Sequence, residues 1–348
     1  MRSSAFTRIS RLLLRSFVAV SGTGGALGAG FFLPNQSTEA TGRGNAWVAT
    51  ADSAAAVHYN PAGLVQLDRR SVEMGVYTIH LGNEVKMGGT TFEADGKWQP
   101  VPHIYYAQPI NEKLVLGFGL NSPFGLGTEW GKKTPFRQVT TNAELMYIRA
   151  SATAGYQVTD SFSVGGGVSL NYVDATLEQG ILPFNPVGPN SDKVKFEGND
   201  IAASWIVGFL WKPHEQHSFG ATYRSKAEFD LGGRLSGTPG FPLPYGGANL
   251  DIVSPASAAV GYAYKPTDRL TIEANVEWID WDNFNSLTIT TSAGNLPEQF
   301  FNWESTFVYE LGFTYQINDC YAFSMGYDYN EGAQPDRFYN PAVADADR

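Results

Sequence analysis

Leu270-Thr271-Ile272-Glu273-Ala274-Asn275-Val276-Glu277-Trp278 alternates without exception between apolar and polar side chains. Successive residues of a strand point to opposite faces, so this stretch is a β-strand with one greasy face and one face carrying two carboxylates. The rhythm recurs from Phe162 to Tyr172, where Val164, Val168 and Leu170 alternate with Ser163, Gly165, Gly167, Ser169 and Asn171. It recurs again from Tyr321 to Asn330, where Phe323, Met325, Tyr327 and Tyr329 alternate with Ala322, Ser324, Gly326 and Asp328. Strands of about ten residues, rich in aromatics and repeated along a chain, are the cumulative signature of a transmembrane β-barrel.

Composition points the same way. Charged residues make up 17% of the 348, against about a quarter in soluble proteins, and no charge-free apolar run reaches the length of a membrane helix. The expected fold class is all-β, a transmembrane antiparallel barrel. The alternative of a soluble meander or sandwich would use the same aromatics as core. The N-terminus reads as a secretory signal over 1–28. Arg2, Arg8 and Arg11 start it, Leu12 to Val20 form an apolar stretch broken by Arg15, and Ala26 and Gly28 make a small-x-small cleavage site. Losing its four arginines moves the net charge from −10 to −14, which excludes nucleic acid as a partner, because phosphate contacts need Lys and Arg. The lone Cys320 excludes an intrachain disulfide and a cysteine zinc cluster.

Residues 29–70 show no sustained alternation and are rich in Ala, Gly, Ser and Asn, so short helical turns and loops are expected there, ahead of a barrel over 71–348. Eleven strands are expected, at 71–81, 98–110, 113–121, 144–158, 161–174, 200–211, 218–231, 252–264, 269–280, 303–317 and 320–329. Their connections alternate short and long, as periplasmic turns and external loops do. Trp98, Trp211, Trp278, Trp281 and Trp303, near strand ends, are expected in interfacial girdles. An odd strand count conflicts with the even counts of single-chain bacterial barrels. The expectation is therefore a chain lacking C-terminal strands, or a further strand hidden in 29–70.

Ala29-Gly30-Phe31, Gly42-Arg43-Gly44-Asn45-Ala46 and Ala54 to Leu64 with its Asn60-Pro61-Ala62, taken in order, resemble the start of mature FadL-type outer-membrane transporters. Asn121 to Trp130 is similar to the segment after that family's third strand. The resemblance covers roughly 29–348. It implies a fourteen-stranded barrel plugged by an N-terminal hatch, a long-chain fatty acid or aromatic hydrocarbon as ligand, and a kinked third strand that opens the wall sideways. It also implies a gating role for Ala29, Gly30, Phe31, Phe32 and Leu33, which could equally be a buried tether.

The remaining site expectations come from the residues. Asn60, Pro61 and Ala62 suit the hatch-to-barrel junction, since proline fixes the backbone and an asparagine side chain can cap a turn. Pro123 and Gly125 end the third strand, and Gly117 and Gly119 within it would permit a bend. Phe124, Leu126 and Trp130 are expected to line an external apolar groove. Arg224 and Lys226, on the seventh strand, and Arg149, whose strand phase is open, are candidates to hold a carboxylate head group, or else to pair with lumen acids.

No enzyme is expected. His214-Glu215-Gln216-His217 lies in a short turn rather than on a helix, Leu126 to Lys132 lacks the first glycine of a phosphate loop, and no Gly-x-Ser-x-Gly elbow occurs. No cofactor or metal is called for. The expected function is passive uptake of hydrophobic molecules through a plugged barrel with a lateral exit. The rivals are a general porin and a structural or adhesive surface barrel. The expected surroundings are outer-membrane lipid and lipopolysaccharide, with the protein as a monomer.

Overall fold

The computed structural model describes residues 30–183, 192–343 and 345; the signal segment 1–28 and Ala29 lie outside the described residues. Eleven strands follow one another through a single antiparallel sheet. They are β1 (Ser71–Leu81), β2 (Lys97–Pro109), β3 in two pieces (Leu114–Asn121 and Gly125–Glu129), β4 (Asn142–Thr159), β5 (Phe162–Gly180) and β6 (Lys193–His214). Then come β7 in two pieces (His217–Arg224 and Ala227–Gly237), β8 in two pieces (Gly246–Ser254 and Ser257–Thr267), β9 (Leu270–Ile279), β10 (Thr306–Gln316) and β11 (Ala322–Asn330). The end strands β1 and β11 are not paired with each other among the described residues.

The alternation predicted from sequence sets the register. On β9, Glu273 and Asn275 are buried on the inner face while Ile272 and Ala274 are exposed outward. Outward apolar residues such as Val168, Leu170, Val260 and Phe323 form the belt that meets lipid. Several strands run beyond their expected ends: β5 has 19 residues and β6 has 22, where about ten cross a bilayer. Their outer halves carry Glu178, Lys193, Lys195 and Glu197, and that charge hides a strand pattern that no longer faces lipid. The 82–97 connection likewise holds a small hairpin, Glu84–Met87 with Thr90–Glu93.

Residues 30–70 fill the space inside the wall with two single-turn helices, Thr38–Thr41 and Ala56–Tyr59, and a 3-10 helix, Pro61–Gln66. Ser37 caps the first helix and Asn60 the last. The wall makes room by placing glycine where the plug backbone touches it. A Cβ at Gly220 would strike Val48, one at Gly312 would strike Arg43, and one at Gly208 would strike Asn60. Gly75 of β1 abuts Thr38, while Gly326 of β11 abuts Arg43 and Gly44, so both end strands touch the same plug segment and the sheet curves around it.

Polar locks hold plug to wall. Glu273, fully buried on β9, accepts from Ala49 N at 2.7 Å, Thr50 N at 3.0 Å and Arg43 Nη2 at 3.4 Å, and also from the Thr50 hydroxyl. Glu73 on β1 accepts from Ser37 and Ser53 hydroxyls at 2.5 and 2.8 Å. The buried Glu273 carboxylate is tolerated because it is paired with Arg43 and fully hydrogen-bonded.

Candidate functional site

The site begins at a break in β3. Ser122-Pro123-Phe124 interrupts the strand, and only its first piece pairs with β2, ending at Ile104↔Leu120. Beyond that, β2 residues 97–103 and the second piece of β3 part. Pro123 has no N–H for a ladder, so the break is local chemistry. The N-terminal strap repairs it from inside. Leu33 N donates to Pro123 O at 2.8 Å and Gly125 N donates to Phe31 O at 3.0 Å, with Phe32 opposite Phe124. Gln36, wholly buried, closes the remainder. Its Nε2 donates to Leu33 O at 2.8 Å and Ser122 O at 2.9 Å, while its Oε1 accepts from Asn121 Nδ2 at 2.9 Å and Ser122 N at 3.2 Å.

The strap separates two cavities. Outward lies a side cavity bounded by Leu33, Ile79, Val101, Phe124, Leu126 and Leu145, with about 910 Å³ of unfilled space, part of it open. Inward lies a lumen pocket of about 660 Å³, also partly open, whose upper rim is Phe32, Pro34, Pro123, Phe124 and Ile279. Its lower wall is polar: His58 and Tyr59 from the plug, Arg149 (β4), Arg224 (β7), Glu277 (β9) and Glu310 (β10). Above it, Phe31 sits in an aromatic box, with ring centroids 4.9 Å from Trp281, 5.5 Å from Phe284 and 5.8 Å from Trp303. Gly30 turns the chain into this box with φ +65°, where a Cβ would strike Trp303.

Arg149 is 2% exposed; its Nε donates to Asn171 at 3.0 Å while its Nη1 has no hydrogen-bond partner. Arg224 donates from Nη2 to the His58 carbonyl at 2.6 Å. Burial, followed by the guanidinium groups of Arg224 and Arg149, holds the His58 imidazole well below its usual range. Neutral His58 can therefore accept at Nδ1 from Asn121 Nδ2, 3.1 Å away, and Asn121 spends its other proton on Gln36. A hydrogen-bonded path thus runs from the pocket cation Arg224 through the His58 residue, Asn121 and Gln36 to Leu33 of the strap.

The structure brings Gly30, Phe31, Phe32, Leu33, Pro123, Phe124, Gly125 and Leu126 together at the β3 break, and Arg149 with Arg224 in the pocket below. Asn60 is buried at the plug–wall junction with Pro61 and Ala62, donating to Val48 O at 2.8 Å and Phe209 O at 3.0 Å. Other expectations are corrected. Lys226 is not in the pocket but pairs with Glu228 at 2.7 Å on the outer side, because the Ser225-Lys226 break inverts the phase and Ala227 takes the inward place. Gly117 and Gly119 sit in unbroken pairing and make space for Val57; the bend lies at 122–124 instead. Phe124 packs against Tyr147 at 5.1 Å and lines both cavities, and Leu126 lines the side cavity with it, so these two border an apolar cavity as expected. Trp130 lies apart, buried with Val85 and Phe136 beneath the external loops. Trp281 and Trp303 belong to the aromatic box, not to a girdle. Gln36, Asn121 and His58 were not singled out as site residues, although Asn121 and His58 lie in the stretches that resemble the family, since a single polar residue looks alike in sequence whether buried or exposed.

Comparison with known proteins agrees with this architecture. A model of the family described as outer membrane protein transport protein (OMPP1/FadL/TodX) matches residues 19–348. The chain is 24% identical to a long-chain fatty acid transport protein of Salmonella typhi, covering 93% of this chain and 82% of that one. It is 24% identical to outer membrane protein P1 of Haemophilus influenzae over the same shares. Among solved structures, a Pseudomonas aeruginosa FadL homologue superposes with a TM-score of 0.79 at 19% identity, covering 92% of this chain and 85% of that one. The Pseudomonas putida toluene transporter TodX superposes with a TM-score of 0.66 at 20% identity, covering 91% and 86%.

Proposed function

The chain belongs to the OMPP1/FadL/TodX family of outer-membrane transport proteins, and from that premise we propose that it carries hydrophobic molecules passively across the outer membrane. The observation that carries this reading is the strap Phe31–Leu33, which lies as a strand partner across the β3 break and separates the lumen pocket from the side cavity. A solute captured against the apolar rim of the lumen pocket has its apolar surface removed from water, worth about 25 cal/mol per Å². Displacement of the strap from the break joins the pocket to the side cavity and lets the solute leave through the wall. Arg149 and Arg224 receive a carboxylate head group when the solute has one. The plug fills the lumen, which a general porin would leave to water. Residues 1–28 are removed on export, 29–70 form the plug and 71–348 the wall. The protein works as a monomer amid lipopolysaccharide and lipid, and the task involves no chemical step.

The test compares saturable uptake of oleate and of toluene in cells with and without the gene. Faster uptake of at least one solute is expected; equal rates for both would remove the transport reading.

A further inference from the structure

The wall has a second break. The first piece of β7 pairs with β6 as far as Arg224↔Ile206, and the second piece resumes only at Gly232↔Asn199. Just past the first ladder Ser225 N still donates to Trp205 O at 2.9 Å, and beyond it β6 residues 200–204 and β7 residues 226–231 share no ladder register. The β7–β8 hairpin is interrupted at matching places, Ser225-Lys226 opposite Pro255-Ala256, where proline can offer no N–H.

Side chains stand in for the missing ladder. Ser225 Oγ accepts from Trp205 N at 2.9 Å, Asp200 accepts from Asp230 N at 2.9 Å, and Asn171 Nδ2 donates to Ala202 O at 3.1 Å from the lumen side. Unsatisfied backbone in a membrane wall costs several kcal/mol per group, so a gap lined by such substitutes is a built feature. A cavity of about 1070 Å³, part of it open, occupies the gap; Ala202 meets it from the inner face and Ala203 from the outer.

The gap sits at the outer edge of the lipid belt. Below it the outward residues are Trp205, Phe209 and Trp211 on β6 and Phe219 and Tyr223 on β7. Above it the outward residues are Glu197, Asn199, Glu228 and Asp230. Its rims follow this division. Trp205 and Tyr223 pair at 5.3 Å on the apolar side, while Lys226 and Asp280 line the polar side. The lumen pocket is one residue away, since Arg224, Pro255 and Ser257 line the pocket and their neighbours Ser225 and Ala256 line the gap.

We propose that the β6–β7 gap is a second lateral opening, through which an amphiphile lying in the outer leaflet reaches the lumen pocket directly, tail over Trp205 and Tyr223 and polar head past Ser225 toward Arg224. The proposal rests on the transport reading above and adds a route to it. Its test uses the full chain in cells, with Cys320→Ser to remove the native thiol and Ala203→Cys to place a thiol at the rim. A bulky disulfide-forming reagent then blocks the gap, and a reductant clears it, in the same folded protein. Ala152→Cys, outward on β4 and away from both breaks, is the control. Blocking at position 203 is expected to slow oleate uptake about tenfold, equivalent to ~1.4 kcal/mol of barrier, with recovery on reduction and no change at position 152. Unchanged uptake after blocking at 203, or equal loss at 152, overturns the second opening while leaving the transport reading intact. No uptake by the unmodified protein overturns both.

Discussion

The Gln36 side chain makes four hydrogen bonds, all to the strap or to the β3 break. Truncating it leaves the carbonyls of Leu33 and Ser122 without their buried donor, at about 1–3 kcal/mol. Gln36→Ala is therefore expected to loosen the strap and speed ligand release without unfolding the wall. Release rates in detergent, with unchanged heat-modifiability on a gel as the folding control, check this. Arg149 makes a different prediction. Its free Nη1 offers a charge-assisted bond to a carboxylate, worth about 1.5–3 kcal/mol. Arg149→Gln should weaken oleate binding by roughly tenfold or more while leaving toluene binding within about twofold, since only one carries a head group. Equal losses for both ligands would assign Arg149 a structural role. Arg149 and Arg224 were readable as cations on strands. Their convergence was not, because it depends on strands three apart in the sheet closing over one plug.

At the scale of elements, the breaks matter more than the strands. A broken strand changes side-chain phase, which is why Arg224 points inward and Lys226 outward although a spacing of two positions would put them on one face of an unbroken strand. The β3 break exposes backbone that the strap and the Gln36 side chain satisfy between them, so strap and break act as one unit. Deleting Phe31–Leu33 should leave the barrel folded and shorten ligand retention. Ligand dissociation measured against the intact protein decides it, and identical kinetics would count against gating. Sequence alternation located all eleven wall strands, because lipid outside and polar plug inside impose unlike faces. Of the residues offered for the bend that the resemblance implied, Pro123 and Gly125 lie at the break and Gly117 and Gly119 do not, because a glycine that admits a neighbour is indistinguishable in sequence from one that admits a turn.

The whole molecule is a wall fastened to its plug and roofed by its loops. Arg43→Met would strand the Glu273 carboxylate in a dry environment, a loss of about 3–5 kcal/mol. A clearly lower unfolding temperature is expected, with the double change Arg43→Met, Glu273→Leu recovering much of it. Melting followed by heat-modifiability measures both. In the loop roof, Asp192 receives Arg137 at 2.6 and 2.8 Å, and this pairing holds its carboxyl below the ordinary carboxylate range. A lowered folded pKa means stabilisation that is present above the unfolded value, about 4, and is lost as pH falls through the folded one. Acidification should thus raise protease cutting in the loops before the wall opens, and Arg137→Gln should abolish that pH step.

Local chemistry alone determined that this chain crosses a membrane as strands, that residues 30–70 form a non-repeating body ahead of them, and where proline interrupts the ladder. Those properties depend on neighbours in sequence: period-two alternation, turn residues and a missing N–H. Only the tertiary structure decided which cations share a pocket, which tryptophans leave the girdle for the lumen, and that the strap mends one break while side chains mend another. These depend on curvature, which brings residues more than a hundred positions apart into contact and carries no periodic mark along the chain.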